Sequence, residues 1–173
     1  NANSTPNVNR SSNVKTAQNA PVYTYEIVNT YKHDDNAFTQ GLVFHNGVFY
    51  ESTGEYGDSS LRKVEVETGK VLQKKDIAED YFAEGMTIFG DKIYQITWQE
   101  NTAFVYDLNF KLLRELRYPG GGWGLTNDGT NLIMSDGTHV IRFLNPETFE
   151  TVRTIVVNDE TGRPLMKLNE LEY

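Results

Sequence analysis

Cysteine is absent from the 173 residues, and this absence excludes several kinds of chemistry at once. Disulfide bonds, thiolate metal ligands and cysteine nucleophiles all need a thiol, so none of them can operate here. No stretch approaches the roughly 18 consecutive apolar residues of a membrane-spanning helix. Basic residues are also few, and the formal net charge of −8 without any basic block argues against nucleic acid or an anionic membrane as the main partner.

The amino-terminal segment has few of the side chains that build a core. The first twenty residues contain no aromatic residue, and Val8 and Val14 are their only large apolar side chains. Such a segment cannot offset the entropy of ordering, so residues 1–21 are predicted to form a disordered polar leader. The chain begins with Asn, and an Asn- and Ser-rich spacer suits an exported or lipid-tethered protein, although a sequence cut from a longer chain looks the same. We expect an extracytoplasmic location, whether periplasmic, secreted or lipid-tethered.

The remaining chain, residues 22–173, is typical of short strands separated by turns. Apolar and aromatic runs such as VYTYEIV, GVFYEST, KIYQITW and HVIRFL alternate with turn sequences such as HNG, ETGK, TNDGTN and NPET. The single helix-like window, KKDIAEDYFAEGM, is short and contains Gly85. The hydrophobic content of 38% is enough for one buried core. The sequence therefore predicts an all-β domain.

A pair made of glycine and an apolar residue marks the start of each of three repeats. The glycines of these pairs, Gly41, Gly85 and Gly124, are 44 and then 39 residues apart. Four short strands in 40 to 45 residues are typical of a β-propeller blade, whereas a β-sandwich, the alternative, is not expected to repeat in this way. The repeats lie near residues 38–81, 82–121 and 122–167, and a stub at 168–173 starts a fourth.

Three repeats and a stub are fewer than the four to eight blades of a closed propeller. We therefore expect an incomplete ring in this chain. The segment VYTYEIVNTY, which precedes the first repeat, is predicted to be the strand that closes the last blade.

The residue before each glycine mark differs from repeat to repeat. These residues are Gln40, Glu84 and Trp123, with Asn169 at the same place in the stub, and we call them the channel-mouth residues. In a propeller the innermost strand of each blade starts at the axial channel, so the four side chains should converge on one mouth. An asymmetric ligand site requires such divergence, although a solvent-filled channel tolerates it too.

Seven motifs in order resemble a known enzyme family. FTQGL, YESTGEYGDSSLR, YFAEGMT, YQITW, GWGLTNDG, SDGT and LNELEY are similar to motifs of the plant and bacterial glutaminyl-peptide cyclotransferases, or glutamine cyclotransferases. The resemblance covers about Phe38 to Tyr173. It implies a five-bladed propeller with four-stranded antiparallel blades, a monomer when complete. It also implies an acyltransferase that converts the N-terminal Gln of a peptide or protein to pyroglutamate, releases ammonia, and uses no metal or other cofactor.

The resemblance also implies roles for individual residues. Glu84 is expected to be the general acid/base, with its pKa raised by burial beside Phe82. Gln40 and Asn169 are expected to hydrogen-bond the substrate amide and carbonyl groups. The expected apolar walls of the site are Phe38, Phe82, Trp98 and Trp123.

Other readings of these residues stay open at this point. Glu84 could be a surface acid, the aromatic residues could be core packing, and Glu170 or Glu172 could face the channel in place of Asn169. The family pattern continues past Tyr173 with a tryptophan and a lysine at the site, and neither can be located here. The alternative function is a non-catalytic propeller that binds peptides or partner proteins.

Overall fold

The structure is a computed structural model that describes residues 23–173, and the predicted leader of residues 1–21 lies outside this range. Within the range the chain forms twelve β-strands. Their bounds are β1 Thr39–His45, β2 Val48–Thr53, β3 Ser60–Glu65, β4 Val71–Asp76, β5 Ala83–Phe89, β6 Lys92–Thr97, β7 Thr102–Asp107, β8 Leu112–Arg117, β9 Leu125–Asn127, β10 Leu132–Met134, β11 Val140–Leu144 and β12 Thr151–Val156. In this part of the protein no helix is long and apolar enough to cross a membrane.

The strands form three four-stranded sheets, each built from four consecutive strands. Blade 1 contains β1–β4, blade 2 contains β5–β8 and blade 3 contains β9–β12, and every neighbouring pair is antiparallel. The predicted all-β class and the four-stranded antiparallel blades of an incomplete propeller are confirmed. The number of five blades stays a prediction.

Blade 2 is buried on both faces because its strands alternate between two sets of apolar side chains. On β6, Ile93 packs in the core that blade 2 shares with blade 1. Its neighbour Tyr94 points the other way and packs in the core shared with blade 3, where Leu125 and Met134 lie. Side chains of a strand alternate between faces, so one short strand can contribute to both cores.

The glycine marks lie where adjacent blades approach each other most closely. A Cβ added to Gly41 would lie 2.6 Å from the Met86 nitrogen, and one added to Gly85 would lie 2.6 Å from the Leu125 nitrogen. At Gly124 the added atom would lie 2.2 Å from the Asn169 oxygen. Real Cβ contacts are never this short, so only glycine lets the inner strands meet. The glycine therefore recurs in the sequence because the close contact between neighbouring blades recurs in the structure.

In blades 2 and 3 the outermost strand is the most exposed one. All residues of β5, an innermost strand, are buried or half-buried, whereas every residue of the outermost strand β12 is exposed. The segment of residues 23–33 pairs with no strand of the described chain, and Tyr23 and Tyr25 on it are exposed. Its predicted role as the closing strand of a further blade stays a prediction.

Candidate active site

One pocket of about 300 Å³ brings together all seven side chains that the sequence singled out. Blades 1 to 3 and the stub each contribute to its wall, and Glu55 is the eighth lining residue. The seven are Phe38, Gln40, Phe82, Glu84, Trp98, Trp123 and Asn169. All four channel-mouth residues therefore line one cavity, as the repeat register predicts, while their chemical roles stay predictions.

Irregular strand pairing aims two of these side chains into the pocket. On β5, Glu84 and Gly85 together oppose the single residue Ile96, because the pairing skips from Ala83 to Met86. On β1 the register shifts at Gln40 in the same way. An extra residue in a strand bends it and redirects the side chain there, and such bulges are common beside active sites.

The main chain at the bulge of β5 is held from both neighbouring blades. The hydroxyl of Ser52 in blade 1 donates a hydrogen bond of 2.5 Å to the Glu84 carbonyl oxygen and accepts one of 2.8 Å from Gln95 Nε2. The Gly85 amide donates across 2.8 Å to the carbonyl oxygen of Trp123, which precedes blade 3. Contacts from three blades therefore fix the position of Glu84.

The carboxyl group of Glu84 lies in a water-poor environment without a partner. The residue is 7% exposed, and among residues 23–173 no group donates a hydrogen bond to its carboxylate and no cation pairs with it. Burial, and to a lesser extent the negative charge of Glu100, together raise the pKa of Glu84 from 4.5 to about 8. The direction agrees with the expectation from sequence. Such a group can exchange a proton near neutral pH.

The raised pKa of Glu84 predicts a free energy of unfolding that falls as the pH rises. Below pH 4.5 the group is protonated in both the folded and the unfolded chain, so its contribution to stability is fully present. Between 4.5 and about 8 the unfolded chain releases this proton while the folded chain keeps it, so stability is lost across that window. At ~1.4 kcal/mol for each pKa unit, the loss is on the order of a few kcal/mol.

Urea unfolding of the full-length protein and of its Glu84→Gln variant, at about pH 5 and about pH 8, measures this loss. Gln does not titrate, so the variant should gain stability relative to the parent as the pH rises. Identical changes in both proteins would contradict the raised pKa.

The aromatic side of the pocket is organised around Phe82. Its ring makes edge contacts with Phe38, Tyr56 and Trp98, at centroid distances of 6.2, 5.5 and 5.7 Å. Gly54 lies beneath it, since a Cβ there would come within 2.4 Å of the Phe82 ring. The wall excludes water from one side of Glu84, which accounts for the direction of its pKa.

The main-chain carbonyl group of Asn169, in the stub, is held by a hydroxyl group of blade 3. Ser135 Oγ donates across 2.6 Å to the carbonyl oxygen of Asn169 and accepts a hydrogen bond of 2.8 Å from the Gly124 amide. Asn169 lines the pocket, whereas Glu172 lines a different cavity beside Thr126 and Asn127. The structure therefore places Asn169 on the pocket, and neither Glu170 nor Glu172 is among the residues that line it.

The sequence did not single out Glu55, Tyr56 or Glu100. Glu55 lines the pocket with a φ of 95°, a strained conformation for a residue other than glycine. The Tyr56 hydroxyl donates across 2.7 Å to Glu100 Oε1, which links the β2–β3 and β6–β7 connections. The composition of the two connections could have indicated these residues, because acidic and aromatic side chains occur there among residues typical of turns.

The described residues contain no group of three or more His, Asp or Glu side chains arranged to hold a metal ion. His33 contacts the buried Glu51 at 2.7 Å, and His45 contacts Asn46 at 2.9 Å. The expectation that the reaction uses no cofactor stays a prediction.

Comparison with known proteins gives concordant results. Residues 3–173 match the family model of glutamine cyclotransferase. Over 151 residues the chain is 42% identical to a glutaminyl-peptide cyclotransferase of Arabidopsis thaliana, with 86% of this chain and 47% of that protein aligned. The chain thus spans about half the length of this curated relative.

Two solved structures also resemble the chain. A crystal structure of Myxococcus xanthus glutaminyl cyclase superimposes with a TM-score of 0.77 and 36% identity, covering 84% of this chain and 61% of that one. The Pan2 WD40 domain of Neurospora crassa superimposes with a TM-score of 0.57 and 13% identity, covering 68% of this chain and 36% of the domain. The second likeness shows the fold alone.

Proposed function

The chain belongs to the glutamine cyclotransferase family, and we propose that the full-length protein converts the N-terminal glutamine of peptides or proteins to pyroglutamate. The observation that carries this proposal is the carboxyl group of Glu84. It is buried, unpartnered within residues 23–173, and has a pKa raised to about 8 in a pocket that also presents two amides.

The reaction needs one group that accepts a proton and then returns it. The neutral α-amine of the substrate attacks the carbon of its own γ-carboxamide, and a ring C–N bond forms. Glu84 takes one proton from that nitrogen. The carboxamide C–N bond then breaks, and Glu84 gives the proton to the departing nitrogen, which leaves as ammonia. General acid/base transfer of this type contributes ~10²–10⁴-fold to a rate.

The remaining lining residues serve orientation and exclusion of water. The side-chain amides of Gln40 and Asn169 can each donate to the substrate carbonyl oxygen and accept from its NH₂ group. Holding a flexible Gln side chain in a ring-closing geometry lowers the entropic part of the barrier. The aromatic wall keeps the pocket dry, which strengthens these polar interactions.

Incubation of the full-length protein with a Gln-initiated peptide tests the activity. We expect release of ammonia and a mass decrease equal to one ammonia per peptide, with no change in a matched peptide that begins with Ala. A folded protein that binds the Gln-initiated peptide without turnover would instead be a peptide-binding propeller.

A further inference from the structure

The pocket is lined by a second carboxylate, that of Glu55, and Glu100 is hydrogen-bonded to Tyr56 next to Glu55. We propose that Glu55 and Glu100 select peptides in which the N-terminal Gln is followed by Lys or Arg. The inference rests on the proposed function, because it assigns a preferred substrate to the same site.

Glu55 lies at the exposed edge of the pocket. It belongs to the β2–β3 connection and is solvent-exposed. Within the described chain its carboxylate takes part in no ion pair and no side-chain hydrogen bond. A peptide whose first side chain reaches Glu84 and whose chain leaves the cavity at this edge brings its second residue close to the Glu55 carboxylate.

Glu100 reaches the same region from blade 2. Its carboxylate accepts hydrogen bonds from the Tyr56 hydroxyl at 2.7 Å and from the Phe82 amide at 3.4 Å, and the Tyr56 ring makes an edge contact with the Phe82 ring. The nearest cation, Arg117, donates to the main-chain oxygen of Glu100 at 3.3 Å and to Thr102 Oγ1 at 2.6 Å, and it forms no ion pair with the carboxylate. The carboxylate of Glu100 therefore forms no ion pair among residues 23–173.

The buried Glu84 provides an independent indication of a ligand. It is more than nine-tenths buried, has no partner in the described chain and lines the inner part of the same pocket. Within residues 23–173, the residues that line this pocket include no Lys, Arg or His. Carboxylates around a cleft with low-dielectric walls focus a negative potential, which attracts cations.

The exposed aromatic rings at the rim complete a surface for a long basic side chain. Phe38 and Tyr56 are each 51% exposed. The aliphatic stems of Lys and Arg pack on such rings, and their charged groups are attracted to ring faces and to carboxylates. An acidic second residue would meet repulsion at the same place.

Steady-state kinetics of the full-length protein with peptides that begin Gln-Lys, Gln-Ala and Gln-Glu test the selection. We expect kcat/KM for Gln-Lys to exceed that for Gln-Glu by about three- to tenfold at low salt, with a smaller ratio at high salt. Glu55→Gln should reduce the ratio and Glu55→Lys should invert it. Glu67→Gln removes the same charge at the β3–β4 connection, the opposite end of the blade, and should leave the ratio unchanged. Equal kcat/KM values for the three peptides would overturn the selection while the activity stands.

A binding measurement tests the selection of the second peptide residue even if no peptide is cyclised. Calorimetric titration of the Glu84→Gln variant with the same peptides reports affinity without turnover. Tighter binding of Gln-Lys than of Gln-Glu, lost in the Glu55→Gln/Glu84→Gln double variant, supports the selection. Equal affinities overturn it. Failure of the proposed function appears separately, as absence of ammonia from every Gln-initiated peptide.

Discussion

Glu84→Gln is expected to lower kcat for cyclisation by ~10²–10⁴-fold while the protein stays folded. The substituted amide has nearly the same size and shape as the carboxyl group, but it cannot take a proton from the attacking amine or deliver one to the departing nitrogen. The carboxylate makes no hydrogen bond within residues 23–173, so the change breaks no contact there. Steady-state kinetics with a Gln-initiated peptide, together with circular dichroism, measure both parts of the result.

The control for this variant is Glu67→Gln, which makes the same chemical change on an exposed connection far along the strand from the pocket. It should retain the parent kcat. A Glu84→Gln protein that cyclises its substrate at the parent rate would show that Glu84 is not the acid/base group.

Gly85→Ala is expected to lower the free energy of unfolding by ~1–3 kcal/mol and the cyclisation rate by on the order of 10²-fold. The added Cβ would lie 2.6 Å from the Leu125 nitrogen and 2.7 Å from the Trp123 oxygen. Both are main-chain atoms, so no side-chain rotation can relieve the clash and blades 2 and 3 must separate. The neighbouring Glu84 moves with them. Urea unfolding and steady-state kinetics of the same preparation measure the two effects.

Gly129→Asn is the matched control, because Gly129 has a φ of 78° that Asn tolerates and an added Cβ there meets no atom within 4 Å. Its stability and rate should stay near those of the parent. If Gly85→Ala behaves like this control, the close approach of blades 2 and 3 at Gly85 does not constrain the fold.

The sequence could predict the parts of the fold that repeat. Gly41, Gly85 and Gly124 recur because the same steric contact recurs between blades, and one register then places Gln40 and Glu84 at equivalent positions. Because the steric contact recurs in each blade, glycine recurs in the sequence at a similar interval. The blades and the channel-mouth residues could therefore be predicted from the sequence alone.

The rest of the site depends on connections that follow no period. Glu55 lies in a connection between β2 and β3 that has no counterpart of the same length between β6 and β7. The pair of Tyr56 and Glu100 joins two such connections across 44 positions of sequence. No local pattern encodes a contact of that kind, because it exists only once the blades are docked.

The hydrogen bonds at the bulge of β5 have a consequence for how such a site can be inherited. Ser52 belongs to one blade, Glu84 to the next, and Trp123 precedes a third. A duplicated or transplanted single blade would carry the acid but leave behind the donor and the acceptor that orient it. A single blade is the repeating unit of the fold, but it does not contain all the groups that hold Glu84 in place. Duplication or exchange of one blade would therefore not transfer this site, which requires three neighbouring blades together.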